Sequence, residues 1–214
     1  MTQRHQWIPT ITLIPFVYLL GWLFAQCIRL FDGEVPSNEI SLIGTIISFI
    51  SFLLFLPSWF RLRWKDNDWT ISVGLNHLLN RSSLKYILRG FTLSLLLISC
   101  ISFLLVFSVW GKGVFLLNTR IFLNAILLGF GVGFAEEIIF RGWLLYEIHQ
   151  LLGPKRAVLI NSVIFSLVHM RLDMDLFSLI WLMIGLFLLG LVLCNQRKID
   201  DGSAWGCIGL HGGL

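Results

Sequence analysis

Four long stretches of the chain contain no Asp, Glu, Lys or Arg: residues 6–28, 40–60, 90–111 and 176–196. A helix needs roughly 20 consecutive apolar residues to cross the hydrocarbon core of a bilayer, and each stretch reaches that length. Because lipid offers no hydrogen bonds to the backbone, a segment of this kind satisfies its own peptide groups as a helix. These stretches therefore predict an all-α, polytopic transmembrane helical bundle.

Composition and two further stretches support this fold class. The chain is 57% hydrophobic and only 13% charged, whereas a soluble domain is about half apolar and a quarter charged. Residues 121–148 are apolar apart from embedded charges, 157–170 form a shorter apolar run, and another run after residue 202 stops at Leu214. We expect six spans plus the start of a seventh, so that the chain is incomplete at its C-terminus.

The distribution of basic residues predicts the orientation. With a cytoplasmic N-terminus, the inside segments, including a basic loop 61–89, hold eleven Lys and Arg residues and the outside segments hold four. Lys and Arg prefer cytoplasmic loops. The net charge of +4 suits loops that face an anionic leaflet. We therefore expect an integral multi-pass protein of the plasma (inner) membrane, with membrane lipids and no nucleic acid as partners.

The stretch GFAEEIIFRGWL, residues 133–144, places three charges inside one of these apolar segments. A charge at the bilayer centre costs about 2.5–3.5 kcal/mol on insertion scales. Glu137 and Arg141 are i and i+4, so on a helix they share a face and can form an ion pair. Glu136 is turned about 100° away and has Phe140 at its i+4 position. Glu136 is therefore the charge that requires a partner or a function outside its own helix.

Neighbouring segments supply candidate partners for Glu136. Gly129 and Gly133 have the small-xxx-small spacing that lets another helix approach closely. At 1.5 Å per residue, Glu136 and His169 each lie about 18 Å from the predicted cytoplasmic end of their span. His211 lies about 12 Å from the cytoplasmic face. The sequence therefore predicts that Glu136, His169 and His211 converge in a membrane-embedded cavity.

A carboxylate and two imidazoles in such a cavity can hydrolyse a peptide without a covalent intermediate. The carboxylate acts as general base with one imidazole, and the other imidazole stabilises an oxyanion. The chain has no HExxH, no GxSxG and no Asp within an apolar span, which disfavours the helical zinc, serine and paired-aspartate designs. A zinc site formed by Glu136, His169 and His211 remains a chemical alternative.

These motifs, taken in order, resemble the CAAX-protease and bacteriocin-processing (CPBP) family of intramembrane glutamic endopeptidases. The resemblance runs from about residue 121 to the end, so residues 121–214 are predicted to be the catalytic helices and residues 1–120 N-terminal transmembrane helices. The matching pattern is Glu136-Glu137-x-x-x-Arg141, Phe165-x-x-x-His169 and a later His211.

The resemblance implies a role for each residue. Glu136 and His169 activate the water, and His211 forms the oxyanion hole with an asparagine that would fall one position beyond Leu214. Glu137, Arg141 and Phe165 support them. The family implies no cofactor, and its substrates are prenylated CAAX-like proteins, leader peptides or membrane proteins.

Other readings of the same residues remain open. Some members of the family act in bacteriocin self-immunity or as scaffolds without demonstrated cleavage, so a non-enzymatic membrane protein that retains the motif is the main alternative. Intramembrane Glu and His can also relay protons, which makes a proton or small-ion carrier a third hypothesis. Asn124 and Asn161, both intramembrane, are predicted to hydrogen bond between helices.

Overall fold

The computed structural model describes residues 6–31, 36–76, 80–108 and 118–214, and the regular structure of these residues is entirely helical. The helices are α1 (Trp7–Phe31), α2 (Ser37–Trp64), α3 (Trp69–Ser72), α4 (Arg81–Phe107), α5 (Thr119–Glu137), α6 (Leu145–Leu152), α7 (Pro154–Val168), α8 (Leu176–Ile199) and α9 (Trp205–Gly212), with a π-helical segment, Ile138–Leu144, between α5 and α6. The chain divides into two compact units, Met1–Trp69 and Thr70–Leu214.

The first unit is built on the helix pair α1 and α2. Small and apolar residues recur at every fourth position of α2 along its buried side, from Ile40 through Gly44 and Ser48 to Phe60. A Cβ atom on Gly21 of α1 would lie 2.3 Å from the carbonyl oxygen of Gly44. The two backbones therefore touch at this point, as small residues at a membrane helix interface allow.

The second unit is organised around α9, whose residues from Trp205 to Leu210 are all buried. Glycines let the longer helices approach its backbone. A Cβ on Gly90 of α4 would lie 2.1 Å from the carbonyl oxygen of Gly206, and one on Gly133 of α5 would lie 2.8 Å from the Cα of Gly212. The close approach predicted for the glycines of α5 is therefore realised, and the helix that fits there carries His211.

Side chains cap three of the helices that surround α9. The side chain of Asn118 accepts hydrogen bonds from the amides of Arg120 and Ile121 at the start of α5, and Asp175 accepts one from the amide of Ser178 at the start of α8. Asn80 caps α4 through the amide of Ser83. Such caps satisfy the orphan amides of a first helical turn, and they set where each helix begins.

Within the described residues, five helical stretches are long and apolar enough to cross a membrane: Trp7–Phe31, Glu39–Trp64, Arg81–Phe107, Thr119–Leu152 and Leu176–Ile199. With its apolar composition, the chain is an integral membrane protein. The predicted fifth span, 157–170, corresponds to α7, which has 15 residues and is short for a crossing helix. The count of six spans and the cytoplasmic N-terminus remain predictions, and the end of the third predicted span, 109–111, lies outside the described residues.

The predicted loop 61–89 is too long. Helix α2 continues to Trp64 and α4 already begins at Arg81, so both basic ends of the predicted loop are helical. The physical reason is that long Lys and Arg side chains can extend from a helix end toward water while the backbone stays helical. Basic residues alone therefore do not mark the end of a helix.

Candidate active site

The structure brings Glu136, His169 and His211 together from three helical elements of the second unit. The Oε2 atom of Glu136 lies 3.2 Å from Nε2 of His169 and 3.8 Å from Nε2 of His211. These three side chains are 24%, 29% and 17% exposed, whereas Glu137 and Arg141 are fully buried. The cluster therefore has an accessible side formed by the first three residues and a closed side formed by the other two.

A backbone contact shows which ring nitrogen of His169 carries a hydrogen. Its Nδ1 lies 2.7 Å from the carbonyl oxygen of Phe165. Because a carbonyl only accepts, Nδ1 carries a hydrogen. The 3.2 Å contact between Nε2 and the Glu136 carboxyl group then needs one further proton, held by either partner. Glu136 and His169 thus form a pair that can take up and release a proton.

Glu137 has two partners, of which only one was predicted. Its Oε1 lies 3.1 Å from Nη1 of Arg141, which confirms the i,i+4 ion pair. The same oxygen lies 2.8 Å from Nδ1 of His211. A carboxylate in this position accepts the Nδ1 hydrogen and orients the ring. Glu137 is therefore more than a neutralising partner for Arg141, because it also holds His211 with Nε2 directed toward Glu136.

Phe165 is the buried centre around which these groups pack. Its ring centroid lies 4.6 Å from that of His169 and 5.8 Å from that of His211, so the predicted shared face of Phe165 and His169 is confirmed. The Cζ of Arg141 lies 4.0 Å from the same ring. A cation placed over an aromatic face is stabilised by the ring quadrupole, which helps Arg141 remain inside an apolar bundle.

The π-helical segment that follows Glu137 is braced by Asn161. The Nδ2 of Asn161 donates to the carbonyl oxygen of Phe140 at 2.8 Å, and the thiol of Cys194 lies 3.6 Å from its Oδ1. Asn161 thus links the π segment, α7 and α8, as predicted for an intramembrane asparagine. Single-turn π-bulges occur frequently at functional sites, and this one immediately adjoins the two glutamates.

The other intramembrane asparagine of the prediction, Asn124, has an exposed side chain.

Sequence reasoning missed the part played by Arg197. In the sequence, this arginine is only one of the eleven basic residues predicted to lie in inside segments. In the structure its guanidinium donates to the carbonyl oxygens of Ser72 at 2.7 Å and Gly202 at 2.9 Å, and lies 3.4 Å from that of Gly142 in the π segment. No motif signals these acceptors, because backbone carbonyls are present at every position.

The described residues contain no group of three or more His, Cys, Asp or Glu side chains arranged to hold a metal ion. In the candidate cluster, Nδ1 of each imidazole is engaged by Phe165 or Glu137, and both Nε2 atoms face one carboxylate oxygen of Glu136. The donor types of this cluster match those of a catalytic zinc site, and the absence of a cofactor stays a prediction.

Comparisons with known proteins match the two parts of the chain separately. Residues 1–68 match the family model described as Domain of unknown function (DUF8676). Residues 118–214 match the one described as Type II CAAX prenyl endopeptidase Rce1-like. No curated protein and no solved structure matches the chain. The matched C-terminal range contains every residue of the cluster, and this part of the chain is similar to the Rce1-like type II CAAX prenyl endopeptidases of the CPBP family.

Proposed function

We propose that the protein is an intramembrane endopeptidase in which Glu136 and His169 activate a water molecule. The observation that carries this proposal is the 3.2 Å contact between Glu136 and His169 on the accessible side of the cluster. The match of residues 118–214 to the model of a CAAX protease family supports the same chemistry. A general base must lie within hydrogen-bond reach of the proton that it removes, directly or through one water, and this pair offers such a position.

In the proposed reaction, the Glu136–His169 pair removes a proton from water while the water oxygen bonds to the scissile carbonyl carbon. The carbonyl oxygen becomes an oxyanion, which accepts a hydrogen bond from Nε2 of a protonated His211. Glu137 stabilises that imidazolium through Nδ1. The Glu136–His169 pair then returns its proton to the amide nitrogen, and the carbon–nitrogen bond breaks to release an amine and a carboxylic acid.

The substrates that we propose are peptides held at or in the membrane: prenylated CAAX-like proteins, leader peptides or membrane proteins. The apolar exterior of the helices supports this substrate class. The proposed location is the plasma (inner) membrane. We propose a metal-independent reaction, with zinc held by Glu136, His169 and His211 as the alternative that the experiment must exclude.

The decisive experiment compares Glu136→Gln and His169→Ala with the unaltered chain on a membrane-tethered peptide substrate. Both variants are expected to lose cleavage while retaining the thermal unfolding midpoint within a few degrees. Glu39→Gln, an exposed carboxylate-to-amide change in the first unit, is the matched control and is expected to cleave normally. If both variants keep the protein's effect in the cell, the scaffold or self-immunity alternative is favoured.

Metal dependence is tested separately with chelators. We expect cleavage to survive prolonged treatment with 1,10-phenanthroline and subsequent dialysis. If the chelator abolishes cleavage and added zinc restores it, the zinc alternative replaces the glutamic mechanism. The assignment of the three residues to the site would be unaffected.

A further inference from the structure

A cavity lies away from the candidate active site, between α6, α7 and α8 in the second unit. It has a volume of about 310 Å³. Its apolar wall comes from residues such as Leu145, Val158 and Cys194, and its polar wall comes from His149, Arg197 and Lys198. Neither glutamate nor imidazole of the candidate active site lines it, so a ligand here would be distinct from the peptide substrate.

The charged groups that line this cavity are all basic. In the described part of the chain, no Asp or Glu contributes to its wall. Two more basic side chains, Lys155 and Arg156, are exposed in the first turn of α7, directly after Pro154 at the cavity edge. The nearby buried carboxylate of Asp200 is already paired with Arg89. The charged side chains of the wall itself are therefore all positive.

Arg197 contributes a charge that its own contacts do not neutralise. Among the described residues its guanidinium is hydrogen bonded to three backbone carbonyls, with no carboxylate partner in that set. Hydrogen bonds to neutral carbonyls satisfy the donors and leave the net charge in place. A partly buried cation of this kind is stabilised by a nearby anion, and the cavity beside it is where an anion can lie.

The position of the cavity indicates the source of that anion. It lies where the candidate spans Thr119–Leu152 and Leu176–Ile199 both end, and the ends of membrane-spanning helices lie at the level of lipid headgroups. The distribution of Lys and Arg predicts that these ends face the cytoplasm, and basic pockets between transmembrane helices on that side bind anionic headgroups. The apolar wall is suited to the adjoining glycerol and acyl portions of a lipid.

We propose that this cavity is a binding site for an anionic phospholipid of the cytoplasmic leaflet. The phosphate lies beside Arg197 and Lys198, and the glycerol backbone lies against α6 and α7. The proposal does not depend on peptidase activity, because binding is measured without a substrate.

The test measures binding of phosphatidylglycerol and phosphatidylcholine to the purified full chain by native mass spectrometry. Phosphatidylglycerol is expected to bind more tightly, and Lys198→Gln is expected to weaken it by about fivefold, the effect of one basic residue at a membrane surface. Lys85→Gln is the matched control, because Lys85 is exposed beside Tyr86, whose hydroxyl contacts Asp201 at the same end of the unit. It is expected to change binding less than twofold.

Two further measurements distinguish lipid binding in this cavity from nonspecific attraction to surface charge. Val158→Phe narrows the cavity without altering charge and is expected to weaken phosphatidylglycerol binding as much as Lys198→Gln does. Glycerol phosphate, which lacks acyl chains, is expected not to compete at equal concentration. Equal effects of Lys198→Gln and Lys85→Gln, equal binding of the two lipids, or full competition by glycerol phosphate would each overturn the proposal.

Discussion

The Nδ1 atom of His211 lies 2.8 Å from Oε1 of Glu137, an oxygen that also pairs with Arg141. This contact joins the closed and accessible sides of the cluster, because His211 approaches Glu136 with its other nitrogen. The two adjacent glutamates therefore have different tasks. Glu136 faces the accessible side with His169, while Glu137 stays buried and orients His211.

Replacing Glu137 by Gln should destabilise the fold and misplace His211. The change leaves Arg141 buried without its counter-charge, a loss of about 3–5 kcal/mol in the free energy of unfolding. The double variant Glu137→Gln/Arg141→Met removes both charges and should recover most of that stability. Cleavage should remain low in both variants, because neither carries the carboxylate at Nδ1 of His211. Recovery of cleavage together with stability would limit Glu137 to a structural role.

His211→Ala should reduce turnover much more than substrate affinity. Removing one hydrogen-bond donor to a developing oxyanion typically lowers kcat by about 10²–10³-fold. Steady-state kinetics on a membrane-tethered peptide would measure kcat and KM separately. A rise in KM with unchanged kcat would show that His211 binds the substrate and does not stabilise the transition state.

Gly133→Ala should displace α9 and with it His211. The new Cβ would lie 2.8 Å from backbone atoms of Gly212, and overpacking of this kind costs about 1–3 kcal/mol. Gly131→Ala is the matched control on the same helix, since a Cβ there meets nothing within 4 Å. It should be neutral or stabilise the helix by up to about 1 kcal/mol. Unfolding in mixed micelles and cleavage assays would compare the two, and equal effects would contradict the close approach of α5 and α9.

Asn161→Leu should loosen the π segment next to the glutamates. The variant has a similar side-chain size but loses the hydrogen bond to the carbonyl of Phe140, worth about 1 kcal/mol net. Hydrogen exchange of the amides from Ile138 to Leu144 should increase, and cleavage should fall. Ser162→Ala removes hydrogen bonds to Val158 within α7 and to Cys194 of α8, but none to the π segment, and should leave both measurements nearly unchanged. If exchange in the π segment responded equally to both variants, Asn161 would not be its brace.

The parts of this protein that follow from local spacing and length were predictable from the sequence. Apolar runs of bilayer length specify membrane helices whatever their neighbours are, and the i,i+4 spacing of Glu137 with Arg141 and of Phe165 with His169 places each pair on one helix face. Equal depth along antiparallel helices indicated that Glu136 and His169 would meet. The loop 61–89 was overestimated, because basic residues mark where a side chain reaches water and not where a helix ends.

The tertiary structure decided which partners each charged group has. The π segment, the second contact of Glu137 with His211 and the three carbonyl acceptors of Arg197 all depend on how α7, α8 and α9 pack against one another. Sequence spacing carries no record of them, since a helix position specifies a direction and a depth but not the atom that a neighbouring helix presents there. The direction and depth of Glu136 were thus determined by the sequence alone. Its distance from His211 was decided by the packing of α9 against α5, and its distance from His169 by the packing of α7 against the π segment.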